Sequence, residues 1–149
     1  MKINTRYHEE IEVNEEEKIF FSSGIPGFPN EKEFVILPLG SDSPLSILQS
    51  VNNEELGFVV AEPFSFYKEY EFVLEKSVEN QLNIQDEKDI QVYSIITLGE
   101  SLSTSTINLQ APVIINRKIK KAKQAILNTE TYHTKHLLVN NNKQKGQEG

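Results

Sequence analysis

The side chains best suited to hold a metal are two histidines three residues apart, in His133-Thr-Lys-His136. On a helix two imidazoles at that spacing share a face and reach one ion. A metal centre needs further ligands, and the sequence offers none nearby. Lys135 also stands between the two histidines, so the plainer reading is a structural or surface pair. His8 stands apart from both. Carboxylates recur in runs at Glu9/Glu10, Glu15/Glu16/Glu17, Glu54/Glu55 and Asp86/Glu87. General acid–base chemistry needs carboxylates held in different environments, whereas these runs read as solvated turns. Gly24-Ile-Pro-Gly-Phe-Pro29 lacks the Lys and the helix start of a phosphate loop. It reads as a rigid turn between two strands. Its prolines stiffen it, and the stiffness would present Phe28 as a contact at low entropic cost. The chain has no Cys, hence no disulfide and no thiolate. No catalytic, cofactor or metal site is expected.

Contact chemistry is more plentiful. Within Glu62-Pro-Phe-Ser-Phe-Tyr-Lys-Glu-Tyr-Glu-Phe72, five aromatics fall at positions 64, 66, 67, 70 and 72. Alternation cannot bury them all, and aromatics beside carboxylates suit a protein interface. Charge is divided along the chain. Residues 1–111 carry 7 Lys/Arg against 20 Asp/Glu, while residues 112–149 carry 8 against 2. An acidic body repels phosphate backbones and attracts basic proteins. The basic run Arg117-Lys-Ile-Lys-Lys-Ala-Lys123 supports one alternative, an RNA-binding module, but has no aromatic neighbour in sequence before Tyr132.

The elements that would position these residues are short strands. The 149 residues fit one domain, and no apolar run approaches a membrane span. The N-terminus lacks the apolar core of a signal peptide, so the cytoplasm is the expected compartment. Strands are expected at 19–21, Glu33–Pro38, 45–51, Gly57–Ala61, 71–75, 90–98, 101–109 and 111–116, with a turn at 52–55. Glu33–Pro38 is apolar enough to be covered on both faces. A short helix is expected from Lys76 to Ile84, with Ser77 as a possible cap. Residues 117–127 stay ambiguous: propensity favours a helix, and a turn at 117–120 with a strand over 123–127 is the alternative. The polar segment 139–149 is expected to be a disordered tail. About ten short strands with close turns point to a small antiparallel sandwich or barrel.

Several segments together resemble a known family. Gly24-Ile-Pro-Gly-Phe28 with Phe34-Val-Ile-Leu37 is similar to the opening signature of the flagellar assembly factor FliW family. Ser43-Pro-Leu-Ser-Ile-Leu-Gln-Ser50, Phe58-Val-Val-Ala-Glu-Pro63 and Tyr70-Glu-Phe72 resemble its middle. Asn108-Leu-Gln-Ala-Pro-Val-Ile-Ile-Asn116 with Ala122-Lys-Gln124 resembles its C-terminal signature. The resemblance spans residues 3–138, with Gly57 and Glu62 where the family pattern would have Ala and Asp. It implies a mostly β, single antiparallel barrel-like domain over 1–138 with one or two short helices, and no catalysis. It implies two partners, cytoplasmic flagellin and the RNA-binding repressor CsrA, exchanged so as to control flagellin synthesis. It also implies the turn and strand over 117–127. An acidic surface drawn from Glu54, Glu55, Glu62, Glu69 and Glu71 is expected to engage basic CsrA. An apolar groove using Phe28, Leu48, Phe64 and Phe66 is expected to take flagellin's amphipathic helices.

Overall fold

The computed structural model describes residues 1–139. The tail expected over 139–149 lies, from residue 140 onward, outside the described residues. Among the described residues eleven strands run in chain order: β1 (Lys2–Ile3), β2 (Ile11–Glu12), β3 (Ile19–Phe21), β4 (Glu33–Pro38), β5 (Leu45–Ser50), β6 (Gly57–Ala61), β7 (Ile90–Thr97), β8 (Thr106–Ile107), β9 (Val113–Asn116), β10 (Lys121–Gln124) and β11 (His136–Leu137). Among the described residues one α-helix, α1 (Lys76–Gln81), stands between β6 and β7, flanked by two short 3-10 turns. Strands β7-β6-β5-β4-β3-β10-β9 follow one another, and β9 pairs back onto β7, closing a seven-stranded barrel. Strand β7 makes the closure possible. Ile90–Tyr93 pair with β9, Ser94 and Ile95 with β6, and Ile96 and Thr97 with β8. The barrel is antiparallel except where β10 meets β3 in parallel, with Lys121 opposite Phe20.

The barrel interior draws on every barrel strand. Phe21, Phe34, Leu48, Val60, Val113, Ile115 and Ala122 form it, with Tyr93 and Ile95 packed against them. The rings of Phe21 and Phe34 meet edge to face at 5.2 Å. Strand β4 is apolar on both faces because both faces are covered. Phe34 and Ile36 face the interior, while Val35 and Leu37 lie under the β1–β2 hairpin with Ile3, Ile11 and Val13. A third layer forms outside β5, β6 and β7, where Tyr70, Leu109, Leu127 and Leu138 cover Ile47, Val59 and Ile96. Helix α1 is too short to stand alone. Its Val78, followed by Leu82, is buried against Ile114 and Ala125.

Four sequence expectations change. Glu71–Glu75 forms no strand, because β6, β7 and β9 already saturate one another and leave that stretch no edge. Ser77 caps nothing; α1 begins at Lys76 as expected, with Glu75, two residues before Ser77, in the cap position, and ends at Gln81 rather than Ile84. Residues 101–109 give a 3-10 turn at Leu102–Thr104 and only a two-residue strand. At 117–127 the turn and strand replace the helix that propensity favours. Lys120 closes the turn at φ 59, and the strand falls at Lys121–Gln124, earlier than expected.

Candidate partner-binding face

Segment 62–72 folds back across the outer layer rather than joining the sheet. A 3-10 turn at Pro63–Ser65 starts it, with Pro63 at its first position, where a missing N–H costs nothing. Tyr70 anchors it. The ring is buried, and its hydroxyl donates to Leu109 O at 2.8 Å. Burial, with a smaller contribution from Tyr132, pushes the Tyr70 phenol well above its ordinary range. Phe64, Phe72 and Tyr132 surround it at 5.8, 5.4 and 4.7 Å between ring centres. Phe66, Tyr67 and Phe72 are half-buried, and Phe64 is 44% exposed. Glu62, Glu69 and Glu71 are exposed along the same segment. The result is an aromatic floor with carboxylates at its rim, able to take an apolar contact and select for positive charge around it.

The expected acidic surface does not come together as one patch. Glu54 and Glu55 sit on the β5–β6 turn, at the opposite end of β6 from Glu62, a strand length of roughly 17 Å away. They belong to a second end of the molecule, organised by Gln49. This fully buried side chain accepts from Arg6 N–H at 2.9 Å, and its amide nitrogen lies 3.1–3.3 Å from the carbonyls of Ser50, Asn53, Glu54 and Leu56. Arg6 also reaches Glu55 O at 3.1 Å.

The expected apolar groove is likewise divided. Leu48 is 1% exposed and lies in the barrel interior opposite Phe58, because the register Ile36–Leu48–Phe58 turns all three inward. It is unavailable to a partner. Phe28 does reach the surface, at 40% exposure, and packs on Phe58 at 6.1 Å. It lies at the Gln49 end, far from Phe64 and Phe66. Its presentation depends on Gly24, whose φ is +67. A Cβ there would sit 2.5 Å from Phe28 O.

The two histidines are not on a helix. His133 N–H donates to His136 Nε2 at 2.8 Å, and the rings stack at 5.5 Å. Among the described residues no group of three or more His, Cys, Asp and Glu is placed to hold a metal. Residues 117–120 of the basic run form the exposed β9–β10 turn and 121–123 continue into β10, with Ala122 buried and Lys123 half-buried; Phe20 crosses to the turn through a 2.8 Å bond from its N–H to Lys120 O. That aromatic neighbour is 101 positions removed from Lys121 in sequence, yet directly opposite it in the sheet.

Residues 2–138 match the family described as FliW protein. The chain belongs to the FliW family. The "Flagellar assembly factor FliW" of Bacillus pumilus (strain SAFR-032) is 51% identical over 138 residues, covering 93% of this chain and 96% of that protein. That of Bacillus subtilis (strain 168) is 50% identical over 136 residues, covering 91% and 95%. A crystal structure of the flagellar assembly factor FliW superposes with a TM-score of 0.89 at 45% identity, covering 94% of this chain and 98% of the other.

The chain carries Gly57 beside the Gln49 amide, where a Cβ would lie 2.9 Å from Oε1. An Ala there would push on a side chain already fixed by its hydrogen bonds. Sequence reading missed Gln49, Tyr132 and Val73. Gln49 is hidden in an apolar run, Tyr132 in a stretch without periodicity, and Val73 in what reads as a buried strand. No helix among the described residues is long and apolar enough to cross a membrane.

Proposed function

We propose that this chain is a non-catalytic flagellar assembly factor that works in the cytoplasm by partner exchange. It binds flagellin before export, and in flagellin's absence it binds CsrA and relieves repression of flagellin translation. As flagellin accumulates it occupies the protein, CsrA is freed, and flagellin synthesis falls. One observation carries the reading beyond family membership: carboxylates of Glu62, Glu69 and Glu71 beside the exposed Phe64 on an aromatic floor. That combination suits a partner with apolar anchors and positive charge, and needs no cofactor. Phe28 with Glu54 and Glu55 offers a second, separate contact region at the other end.

Calorimetric titration with CsrA and with flagellin, followed by competition, tests the exchange. Tight binding to each and displacement of CsrA by flagellin are expected; binding to neither overturns the proposal. The assignment of faces is tested by charge reversal. Glu62→Lys with Glu69→Lys and Glu71→Lys should slow CsrA association and flatten its salt dependence. Phe64→Ala should weaken one partner by ~1–3 kcal/mol. If neither set has an effect, this face is not the contact. Phe20 beside the basic turn favours a second reading, RNA binding through Arg117–Lys123. It requires strongly salt-dependent RNA affinity from the isolated chain, which the acidic body opposes.

A further inference from the structure

Segment 71–75 alternates exposed and half-buried side chains and is left unpaired. Glu71 N–H donates to Tyr132 Oη at 3.2 Å, and Glu75 O accepts from Val78 and Glu79 as α1 begins. Between these fixed ends, Phe72 and Leu74 are half-buried while Val73 is 88% exposed. The N–H and C=O groups of Phe72, Val73 and Leu74 have no partner among the described residues. A groove of about 700 Å³ runs beside this segment, and its opposite wall is residues 123–129. There Ala125 and Leu127 donate inward to Pro112 O and Gln110 O at 2.9 and 2.8 Å. Ile126 therefore faces outward, 70% exposed, with its own N–H unpartnered among the described residues. On the far side of Val73 a second trough of about 570 Å³ carries Glu71, Glu79 and Glu87 in its lining, with no Lys, Arg or His.

We propose that Glu71–Glu75 is an open strand edge that receives an extended, basic segment of a partner protein by backbone pairing. Two features select this occupant. An extended segment supplies donors and acceptors to the unmade backbone bonds, whereas a helix satisfies its own and leaves these unmet. Glu71 and Glu75 share one face with Val73 and complement Lys or Arg on that face of an alternating segment, whose apolar side chains would seat on the other face beside the half-buried Phe72 and Leu74. A second copy of this chain would instead bring Glu71 and Glu75 against their own kind. The inference rests on the reading that the chain works by binding proteins, and it names the mode and the chemistry.

The probe is the synthetic heptapeptide Lys-Val-Lys-Val-Lys-Val-Lys. Its control is Lys-Lys-Lys-Lys-Val-Val-Val, of equal charge and composition. The alternating peptide should bind the full chain at least tenfold tighter than the control and slow amide exchange at Val73, the central residue of the paired edge. Val73→Pro, which removes the central N–H, should abolish that preference. Val73→Thr, which keeps the N–H, should retain it. Because Val73 is exposed and unbonded, both variants should fold, as circular dichroism will check. Equal affinity for the two peptides overturns the proposal. So does protection at residues 51–56 instead, or a concentration-dependent dimer that protects Val73 without peptide. If the peptide fails while flagellin and CsrA still bind, strand pairing falls and partner exchange stands. If neither protein binds the wild type but the peptide pairs as expected, partner exchange falls and the edge stands.

Discussion

The barrel wall and the outer segment 62–75 are built from similar residues and have opposite fates. Segment 62–75 carries three Phe and two Tyr with Val73 and Leu74, and the wall carries Phe, Val, Ile and Leu. In the wall every barrel strand has a neighbour on each side, closing with β9 on β7. Its side chains fill an interior that includes fully buried Phe21, Phe34 and Val60. The outer segment has no edge left to join. It lies across the wall, buries Tyr70 as its anchor, and leaves Phe64 and Val73 in solvent. Closure removes the edges that would otherwise recruit other chains. The aromatic contact chemistry of segment 62–75 is thereby left outside the closed wall.

This contrast is broken most severely at Phe34, whose ring is fully buried between Phe21 and Phe58 at 5.2 and 6.5 Å. Phe34→Ala should cost about 3–5 kcal/mol, as the cavity is enclosed and its lining cannot collapse. Val73→Thr, at an equally apolar position, should change stability by no more than about 0.5 kcal/mol. Urea unfolding of the two variants measures both. A Val73→Thr cost approaching that of Phe34→Ala would mean the outer segment is part of the core.

A middle-sized effect is expected at Gln49, because the Glu54/Glu55 turn hangs on one side chain. Gln49→Ala strands Arg6 N–H and removes the shared donor to four carbonyls. The loss should be roughly 1–3 kcal/mol. Amide exchange should accelerate over residues 51–56 while the 62–72 segment is unchanged. If both ends loosen together, they are one cooperative unit rather than two separate regions.

The same contrast explains what the sequence disclosed. Closed strands follow local pattern, so β4 and β6 have the bounds that their apolar runs suggest. The double-sided coverage of β4 also follows from Val35 and Leu37 continuing the run. The parallel β3–β10 contact is not legible, because it joins residues about a hundred positions apart. The separation of Glu54 from Glu62 is legible, since the expected strand Gly57–Ala61 stands between them, although the expected acidic surface groups them together. Leu48 was misassigned for a different reason. Facing inward or outward on β5 depends on its register with β4 and β6, and Leu45-Ser-Ile-Leu-Gln-Ser50 has no alternation to reveal it. Segment 71–75 has strand-forming residues, but propensity says nothing about whether an edge is vacant.

The smallest effect separates the last strand from the rest by pH. His136 lies in β11, paired with Ile107, with Tyr67, Tyr132 and His133 rings around it at 5.8, 6.1 and 5.5 Å. Its Nε2 accepts the His133 N–H, which only the unprotonated nitrogen can do. Burial first, and the neighbouring His133 second, hold its pKa below the ordinary 6.5. The unfolded chain therefore binds this proton more readily than the folded one. The stabilisation is complete above about pH 6.5 and is lost as pH falls through the lower folded value. Acidification should loosen β11 by no more than the worth of the hydrogen bond, roughly 0.5–1.5 kcal/mol. It should appear as faster amide exchange at Leu137 and Leu138, with the barrel amides unaffected. His136→Gln offers a carbonyl oxygen to the same N–H and does not titrate, so its β11 exchange should lose this pH dependence. If the wild type and His136→Gln respond alike between pH 7 and 5, the protonation of His136 does not govern the strand.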